Sequence, residues 1–281
     1  MTEKSIIIIC AVYINQKRIP MFKIFYHLLT VLVLSFSSLM ASENPLIVGM
    51  ELQYPPFEMS DKEGKPTGIS VDLAYALGKY LGRDVIIENI AWDGLIPSLK
   101  TKKIDIIISS MTATEQRAKT VTFSIPYAQS NLAILTHPSS NVKNVEDLNQ
   151  KGKKIAVKKG TTGHLYANEH FKNAELLVFD KENAAVLEVI QKKADGFLYD
   201  QLTIYKNWEK NQNTTVALLK PFQSSPEYWA AAMAKDNDAL KAKVDAFIVA
   251  AKKDGTFDAL SKKYLAEARA TFDALGIPFF F

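Results

Sequence analysis

The chain has 281 residues, of which 48% are hydrophobic, so it is long enough to bury a full core in one or two compact units. The formal charge is +4, but residues 1–41 carry four basic side chains against one acidic side chain. Without that surplus of three, the charge falls to about +1, which excludes the strongly basic surface of a nucleic-acid-binding protein.

The first 41 residues have the pattern of an export signal. After Met21, Lys23 supplies a positive charge, the apolar run Leu28–Phe36 follows, and small residues lead up to Ala41. The apolar run is short for a membrane span. We therefore predict that residues 1–41 are a signal peptide cleaved after Ala41, with Met21 as an alternative true start. An uncleaved membrane anchor is the other interpretation of the same run.

Cysteine usage agrees with export. The only cysteine, Cys10, lies inside the predicted signal peptide, so the mature chain would carry no thiol and no disulfide. Large residues, Ile7–Ile9, precede Cys10 where a lipoprotein signal needs small ones. We therefore predict a freely soluble protein of the periplasm.

From residue 46 onward the sequence alternates apolar strands with helices, which predicts an α/β fold. The first predicted unit has strands at 46–49, 85–88 and 104–108 and helices at 71–81 and 93–100. The second has strands at 133–135, 155–157, 176–178 and 196–198, with helices at 145–149 and from 162 and 182.

The chain then returns to the first unit. Residues 228–233 are predicted to form the returning segment, and amphipathic helices cover 237–251 and 257–264. The two crossings between the units would form a hinge, since a hinge needs only a few residues to absorb a rotation. We therefore predict two lobes and two hinge crossovers, with lobe 1 formed by residues 45–127 plus 223–281 and lobe 2 by residues 128–222.

The most informative motif is Ser109–Arg117, which places two hydroxyls, a helix start and a guanidinium close together. It follows the predicted strand 104–108, and open α/β sheets bind ligands where a strand turns into a helix. Thr112 and Glu115 have the spacing of a capping box, and the first N–H groups of a helix attract an anion. Arg117 adds a forked donor that matches a carboxylate. The motif predicts a carboxylate site; alternatively, Thr112 only caps its helix and Arg117 pairs with a surface carboxylate.

Four further segments extend this motif to a family pattern. They are Gly49–Glu58, Gly68–Ala74, Lys158–Gly163 and Ala194–Asp200. Their order and spacing resemble the periplasmic polar amino-acid-binding proteins of ABC importers, which are family 3 extracellular solute-binding proteins. The resemblance runs from about Pro45 to the C-terminal helices. It implies a periplasmic binding protein type II fold, whose two lobes close on a ligand between them.

The resemblance also implies an amino-acid clamp. In the family pattern Arg117 would hold the ligand α-carboxylate in a bidentate pair, with Thr112 and Thr162 adding donors from the two lobes. Asp200 would bind the α-ammonium, and Ser110 lies where the family uses a carbonyl or hydroxyl oxygen for the same group. Asp200 stands at one predicted helix start, and Thr161 and Thr162 stand at another, so helix capping is an alternative role that can coexist with binding.

Side-chain specificity depends on other positions of the same resemblance. Tyr54 and Trp92 match the family's aromatic walls, whereas Phe57, in the same loop as Tyr54, fits the core better. Glu51 matches an acid found in sites for cationic or amide side chains, and Lys158 matches a lysine of glutamine-type sites. If Glu51 and Lys158 pair across the cleft, a neutral polar ligand such as glutamine is favoured. If Lys158 faces solvent, Glu51 favours lysine, arginine or histidine.

The alternative function within this fold is enzymatic, since some proteins of the fold are prephenate or arogenate dehydratases. Glu51 and Lys158 would then be the candidate general acids. A paired Glu and Lys hold each other charged, whereas proton transfer needs a group poised near the working pH. We therefore expect a binding protein and not an enzyme.

The expected partners follow from the same resemblance. They are one L-amino acid and the ABC transporter permease in the inner membrane, with no nucleic acid, and the chain is expected to be a monomer. His164 and His170 are six residues apart and do not share a helix face, so neither a metal site nor a cofactor is predicted. The aromatic tail Phe279–Phe281 either packs on a lobe or contacts a partner.

Overall fold

The computed structural model describes residues 44–277 and residue 281. The predicted signal peptide, with Cys10, and the segment Pro278–Phe280 lie outside the described residues. Within residues 44–277, none of the helices combines the length and the apolar character that a membrane crossing requires.

Strands and helices follow one another in the alternation that the sequence predicts. In the described residues the strands are β1 (Leu46–Met50), β2 (Gln53–Tyr54), β3 (Glu58–Ser60), β4 (Pro66–Thr67), β5 (Val85–Asn89), β6 (Ile106–Ile107), β7 (Val121–Phe123), β8 (Ala128–Ser130), β9 (Leu132–Thr136), β10 (Lys154–Lys158), β11 (Glu175–Phe179), β12 (Gly196–Asp200), β13 (Val216–Leu218), β14 (Glu227–Trp229) and β15 (Ala232–Ala234). The α-helices are α1 (Ile69–Leu81), α2 (Leu95–Lys100), α3 (Glu115–Ala118), α4 (Thr162–His170), α5 (Glu182–Ile190), α6 (Gln201–Lys210), α7 (Asp238–Lys253), α8 (Thr256–Tyr264) and α9 (Ala266–Ala274). The predicted helix at 145–149 is only a 3₁₀ turn at Glu146–Leu148, and the small sheet β2-β3-β4, β13 and α9 were not predicted.

The first large sheet has the strand order β5-β1-β6-β15-β7. Strand β1 runs parallel to β5 and β6, and β15 pairs antiparallel with β6 and β7. Parallel neighbours end at the same edge of a sheet, so the residues that follow β1 and β6 meet there. Glu51 N accordingly donates a hydrogen bond to Ser109 Oγ at 3.1 Å.

The second large sheet has the strand order β11-β10-β12-β9-β13. Strand β10 is parallel to β11 and β12, and β9 pairs antiparallel with β12 and β13. Helix α4 starts a few residues after β10 and α6 starts directly after β12, so Thr162 and Asp200 share one edge of this sheet. Gly163 lets α4 lie close to β12, because a Cβ atom there would stand 2.5 Å from Leu198 O.

Two adjacent crossovers join the sheets. Strands β8 and β14 form an antiparallel ribbon in which Glu227 lies opposite Ser130 and Trp229 opposite Ala128. Along the chain, β8 connects β7 to β9, and β14 connects β13 to β15. This arrangement confirms the predicted α/β fold with two lobes and two hinge crossovers. The lobe boundaries given above stay a prediction.

Helices α7, α8 and α9 follow the second crossover and join the core of the first lobe. Phe247, Phe257 and Phe272 are buried in the same apolar cluster as residues of β1 and α1. The ring of Phe281 lies 5.2 Å from that of Phe257, measured between centroids. The last residue of the chain therefore packs on the first lobe.

Candidate functional site

A cleft lies between the two lobes, with an empty volume of about 470 Å³ including its open mouth. Eight of the nine predicted site residues line it: Glu51, Tyr54, Trp92, Ser110, Thr112, Arg117, Thr162 and Asp200. The ninth, Lys158, is paired with Glu51. Seven further lining residues were not among those nine: Glu58, Ser109, Leu132, Thr161, Tyr199, Glu227 and Trp229. The fold thus brings all nine predicted residues together.

Arg117 is held by backbone carbonyls from both lobes. Its Nη1 donates to Thr112 O at 2.8 Å, and its Nη2 donates to Gly160 O at 3.0 Å. The guanidinium also lies over the Trp92 ring, 5.2 Å from the ring centroid. Burial lowers the pKa of Arg117 to about 10, an effect that the negative charge of Glu227 opposes. Arg117 is therefore a buried cation at neutral pH, and its guanidinium has more N–H donors than these two bonds use.

The capping box predicted for Thr112 and Glu115 is wrong. Helix α3 is capped by Thr114, whose Oγ1 accepts a hydrogen bond from Arg117 N at 3.2 Å. Thr112 instead forms an antiparallel backbone bridge with Trp229, which keeps the chain out of the helix until two residues later. Thr112 is therefore free of the capping role and presents its hydroxyl to the cleft.

The carboxylate of Glu227, in β14, joins hydroxyls from the two lobes. Its Oε2 accepts hydrogen bonds from Thr112 Oγ1 at 3.0 Å and from Thr162 Oγ1 at 2.8 Å. Its Oε1 accepts from Gln223 Nε2 at 3.2 Å. The capping alternative is confirmed for Thr161, which caps α4, and is wrong for Thr162, which begins the helix. Both threonine hydroxyls therefore point to one carboxylate position.

Asp200 caps a helix and also lines the cleft. Its Oδ1 accepts a hydrogen bond from Thr203 N at 3.0 Å, the N-cap contact of α6. Its Oδ2 is buried and accepts no hydrogen bond of ordinary geometry from the described residues. Burial raises the pKa of Asp200, although the nearby Tyr54 hydroxyl works in the opposite direction. A cation placed beside Oδ2 would stabilise the ionised carboxylate.

Glu51 and Lys158 form a buried ion pair across the cleft. Glu51 follows β1 in the first lobe, Lys158 ends β10 in the second, and Lys158 Nζ donates to Glu51 Oε2. The side chains of Lys158 and Glu51 are only 5% and 8% exposed. Of the two alternatives predicted for Lys158, the structure has the pairing with Glu51, and the lysine does not face solvent.

Aromatic rings form one wall of the cleft. Tyr54 is buried and packs edge-on against Tyr199 and Trp229, with centroid distances of 6.0 and 6.1 Å. Phe57 stacks beneath Tyr54 at 5.4 Å and does not line the cleft, as expected for a core residue. Trp92 lies under Arg117, so its ring face is already used by a cation.

A buried acid that was not predicted, Glu58, organises the serines of the motif. It accepts hydrogen bonds from Ser70 Oγ at 2.6 Å, Ser109 Oγ at 3.1 Å and Ser110 Oγ at 3.0 Å. Ser110 adopts a left-handed φ of 48°, a strained value for a residue with a side chain. Burial raises the pKa of Glu58 to about 8, and the three serine hydroxyls only partly oppose it.

We expect Glu58 to make the unfolding free energy fall as pH rises from about 4.5 to about 8. Because burial raises the pKa of Glu58 to about 8 in the folded state, the folded protein keeps this proton while the unfolded chain loses it. In this pH range the unfolding free energy falls by about 1.4 kcal/mol per pH unit. In Glu58→Gln that contribution disappears, so the difference in unfolding free energy between variant and wild type should change by up to about 4 kcal/mol between pH 5 and pH 8. Urea denaturation at each pH measures it.

Burial also raises the pKa of Glu182, to about 7, but Glu182 is present in both the wild type and Glu58→Gln. The difference in unfolding free energy between these two proteins therefore reports Glu58 alone. Glu63→Gln, a substitution of an exposed glutamate, is the matched control. A Glu58→Gln profile parallel to the wild-type profile would contradict the assignment.

Comparison with known proteins gives a family match over most of the chain. Residues 46–267 match the model of the bacterial extracellular solute-binding proteins, family 3. The L-cystine-binding protein TcyJ of Escherichia coli (strain K12) is 33% identical over 221 residues, 78% of this chain and 82% of that protein. The ABC transporter arginine-binding protein 1 of the same strain is 30% identical over 243 residues, 85% of this chain and 98% of that protein. The crystal structure of the ancestral amino acid-binding protein AncCDT-1, a precursor of cyclohexadienyl dehydratase, has a TM-score of 0.71 and 35% identity, covering 78% of this chain and 94% of that one.

Proposed function

The chain belongs to the bacterial extracellular solute-binding proteins, family 3, and on that premise we propose that its two lobes close around one polar L-amino acid. Its relatives are periplasmic amino-acid-binding proteins of ABC transporters. The observation that carries the proposal is a buried cation, Arg117, and a buried carboxylate, Asp200, in one cleft formed by both lobes. Opposite charges in one cleft are the minimum chemistry for recognising a zwitterion.

Each of the two charged α-groups of the ligand has its own binding residues in this proposal. Arg117 binds the α-carboxylate, and the hydroxyls of Thr112 and Thr162 add one donor from each lobe. Asp200 binds the α-ammonium through Oδ2, since Oδ1 is occupied by the helix cap. Ser110 donates its hydroxyl proton to Glu58, so its oxygen is left to accept from the same ammonium.

The ligand side chain meets the aromatic wall and the Glu51–Lys158 pair. Because the two charges compensate each other, the pair favours a neutral polar side chain such as glutamine, with a basic amino acid as the next choice. Tyr54 and Trp92 add ring surface to the lining of the cleft. The named ligands of the relatives, cystine and arginine, support the amino-acid class but do not select a member of it.

Closure is the proposed mechanism of transport. The ligand shifts an open–closed equilibrium toward the closed form by the difference between its affinities for the two forms. The closed form, a periplasmic monomer with lobe 1 at residues 45–127 plus 223–281 and lobe 2 at 128–222, then docks on an ABC transporter permease in the inner membrane. The charged groups that each lobe contributes to the clamp make closure and binding one event.

A prephenate or arogenate dehydratase is the second candidate. It is favoured by one observation: the carboxyl of Glu58 lines the cleft, and burial raises its pKa to about 8, within reach of a general acid. The paired Glu51 and Lys158 fit that role less well, because the Glu51 carboxylate and the Lys158 ammonium are already bonded to each other.

A thermal-shift screen of unfolded and refolded protein tests both candidates, because refolding removes any ligand carried through purification. The compounds are the twenty amino acids, cystine, prephenate and arogenate, with product analysis for the last two. We expect one or a few polar amino acids to raise the melting temperature, by a free energy that grows with ligand concentration, and no product to form. A screen without any amino-acid hit would overturn the proposal, and phenylpyruvate or phenylalanine formation would establish the enzyme instead.

A further inference from the structure

Glu227 occupies the position that the proposed clamp assigns to the ligand α-carboxylate. Its Oε2 accepts hydrogen bonds from Thr112 of the first lobe and Thr162 of the second, at 3.0 and 2.8 Å. These two hydroxyls are the donors that, with Arg117, would hold the ligand α-carboxylate. The negative charge of Glu227 is also near enough to oppose the burial effect on the pKa of Arg117. A side-chain carboxylate thus already accepts from the two hydroxyls that the ligand carboxylate would need.

We propose that Glu227 acts as an internal substitute for the ligand carboxylate: it occupies the carboxylate subsite and latches the lobes together when no amino acid is bound. The inference rests on the proposed function for the identity of that subsite. It goes beyond it by assigning to this cleft a built-in competitor, which the entering amino acid has to displace. Two carboxylates cannot share the Thr112 and Thr162 donors without strong repulsion.

The neighbouring contacts provide a place for the displaced side chain. Gln223 Nε2 donates to the other carboxylate oxygen of Glu227 at 3.2 Å. Gln223 Oε1 in turn accepts from Leu132 N at 2.8 Å, at the start of β9 just beyond the first crossover. When the ligand carboxylate takes the hydroxyls of Thr112 and Thr162, Glu227 can keep its hydrogen bond to Gln223 and stay on the crossover side of the cleft. The exchange therefore occurs beside the hinge strands, β8 and β14.

Two measurable consequences follow. First, the unliganded protein spends more time closed than it would without Glu227, because one acceptor joins hydroxyls of both lobes. Second, the apparent affinity for amino acid is lowered by the fraction of molecules in which the subsite is free. If Glu227 occupies it in about nine of ten unliganded molecules, removing the side chain tightens the apparent Kd about 10-fold.

The test uses Glu227→Ala and Glu227→Gln, with Glu63→Gln as the matched loss of an exposed glutamate. Alanine removes the acceptor and the charge, while glutamine removes the charge and keeps a polar group of the same length. Small-angle X-ray scattering of the ligand-free, refolded protein reports closure, and calorimetric titration with the best amino acid of the screen reports affinity. We expect the radius of gyration to rise and the Kd to fall, more for alanine than for glutamine, and neither to change in Glu63→Gln.

Weaker amino-acid binding in both Glu227 variants would mean that Glu227 helps to bind the ligand, and unchanged binding would mean that it does not affect the ligand. Either result would overturn the proposal that Glu227 competes with the ligand. An unchanged radius of gyration would overturn the latch. If Glu227→Ala does not fold, Glu227→Gln carries the test alone. If the wild-type protein binds no amino acid while both Glu227 variants open, the latch stands and the proposed function fails, so the two can be told apart.

Discussion

Replacing Arg117 with alanine is expected to abolish amino-acid binding at ordinary ligand concentrations while leaving the fold intact. The guanidinium is buried and bonded to carbonyls of both lobes, Thr112 O and Gly160 O. In the proposed clamp it is also the only fully charged partner of the ligand carboxylate. Truncating one partner of a buried charge pair costs about 2–5 kcal/mol. That corresponds to a Kd roughly 30- to 5,000-fold weaker, which calorimetric titration measures.

Arg83→Ala is the matched control for this experiment. Arg83 is also an arginine of the first lobe, but its Nη2 contacts Pro45 O and Asp105, away from the cleft. We expect Arg83→Ala to retain wild-type affinity and Arg117→Ala to retain the wild-type circular dichroism spectrum. An Arg117→Ala protein that binds amino acid with wild-type affinity would remove the centre of the proposed clamp.

Replacing Lys158 with methionine is expected to change ligand preference from neutral to cationic. The substitution keeps a side chain of similar length but leaves the Glu51 carboxylate unpaired in the closed cleft. Glu51 and Lys158 belong to different lobes, so Glu51 can be hydrated when the lobes are open. The unpaired carboxylate of the variant therefore makes closure of the lobes less favourable. An unpaired buried charge costs several kcal/mol, and 1.4 kcal/mol is tenfold in affinity. We therefore expect the ratio of arginine to glutamine affinity to rise about tenfold or more in competition binding.

The double variant Glu51→Gln with Lys158→Met separates charge from packing. It removes both charges, so we expect it to lose the gain in arginine affinity and to bind neutral amino acids better than Lys158→Met alone. If Lys158→Met and the double variant have the same ligand preference, Glu51 does not determine specificity. The neutral-ligand proposal would then lose its physical basis.

The two-lobe fold could be predicted from local sequence, whereas the residues of the proposed clamp were assigned from the family resemblance. Apolar β-branched runs followed by helix starts identify the strands, and the residues that follow parallel strands share an edge of the sheet. Glu51, Ser110 and Asp200 are such residues, so their convergence follows once the order of the strands is known. The pairing of Glu51 with Lys158 was one of two alternatives, because sequence alone does not tell whether the cleft excludes water.

The missed residues depend on contacts between distant parts of the chain. Glu227 and Trp229 belong to a short strand without a motif of its own, and they reach the cleft only because β14 pairs with β8 and bridges to Thr112. The same bridge explains the wrong capping box, since it moves the N-cap of α3 to Thr114.

Glu58 could not be recognised for a related reason. Its own segment marks it only as an acid between Phe57 and Met59 in a short strand. The hydroxyls that make its burial tolerable come from Ser70, Ser109 and Ser110, far along the chain. Buried polar groups need partners, and a sequence does not reveal which distant side chains supply them.

A crystal structure of the refolded protein with the amino acid that stabilises it most would test the proposed clamp directly. We expect the ligand in the cleft, its α-carboxylate within hydrogen-bond distance of Arg117, Thr112 and Thr162, its ammonium on Asp200, and Glu227 displaced toward Gln223. A ligand bound outside the cleft, or bound with its ammonium on Glu227 and its carboxylate away from Arg117, would contradict this arrangement.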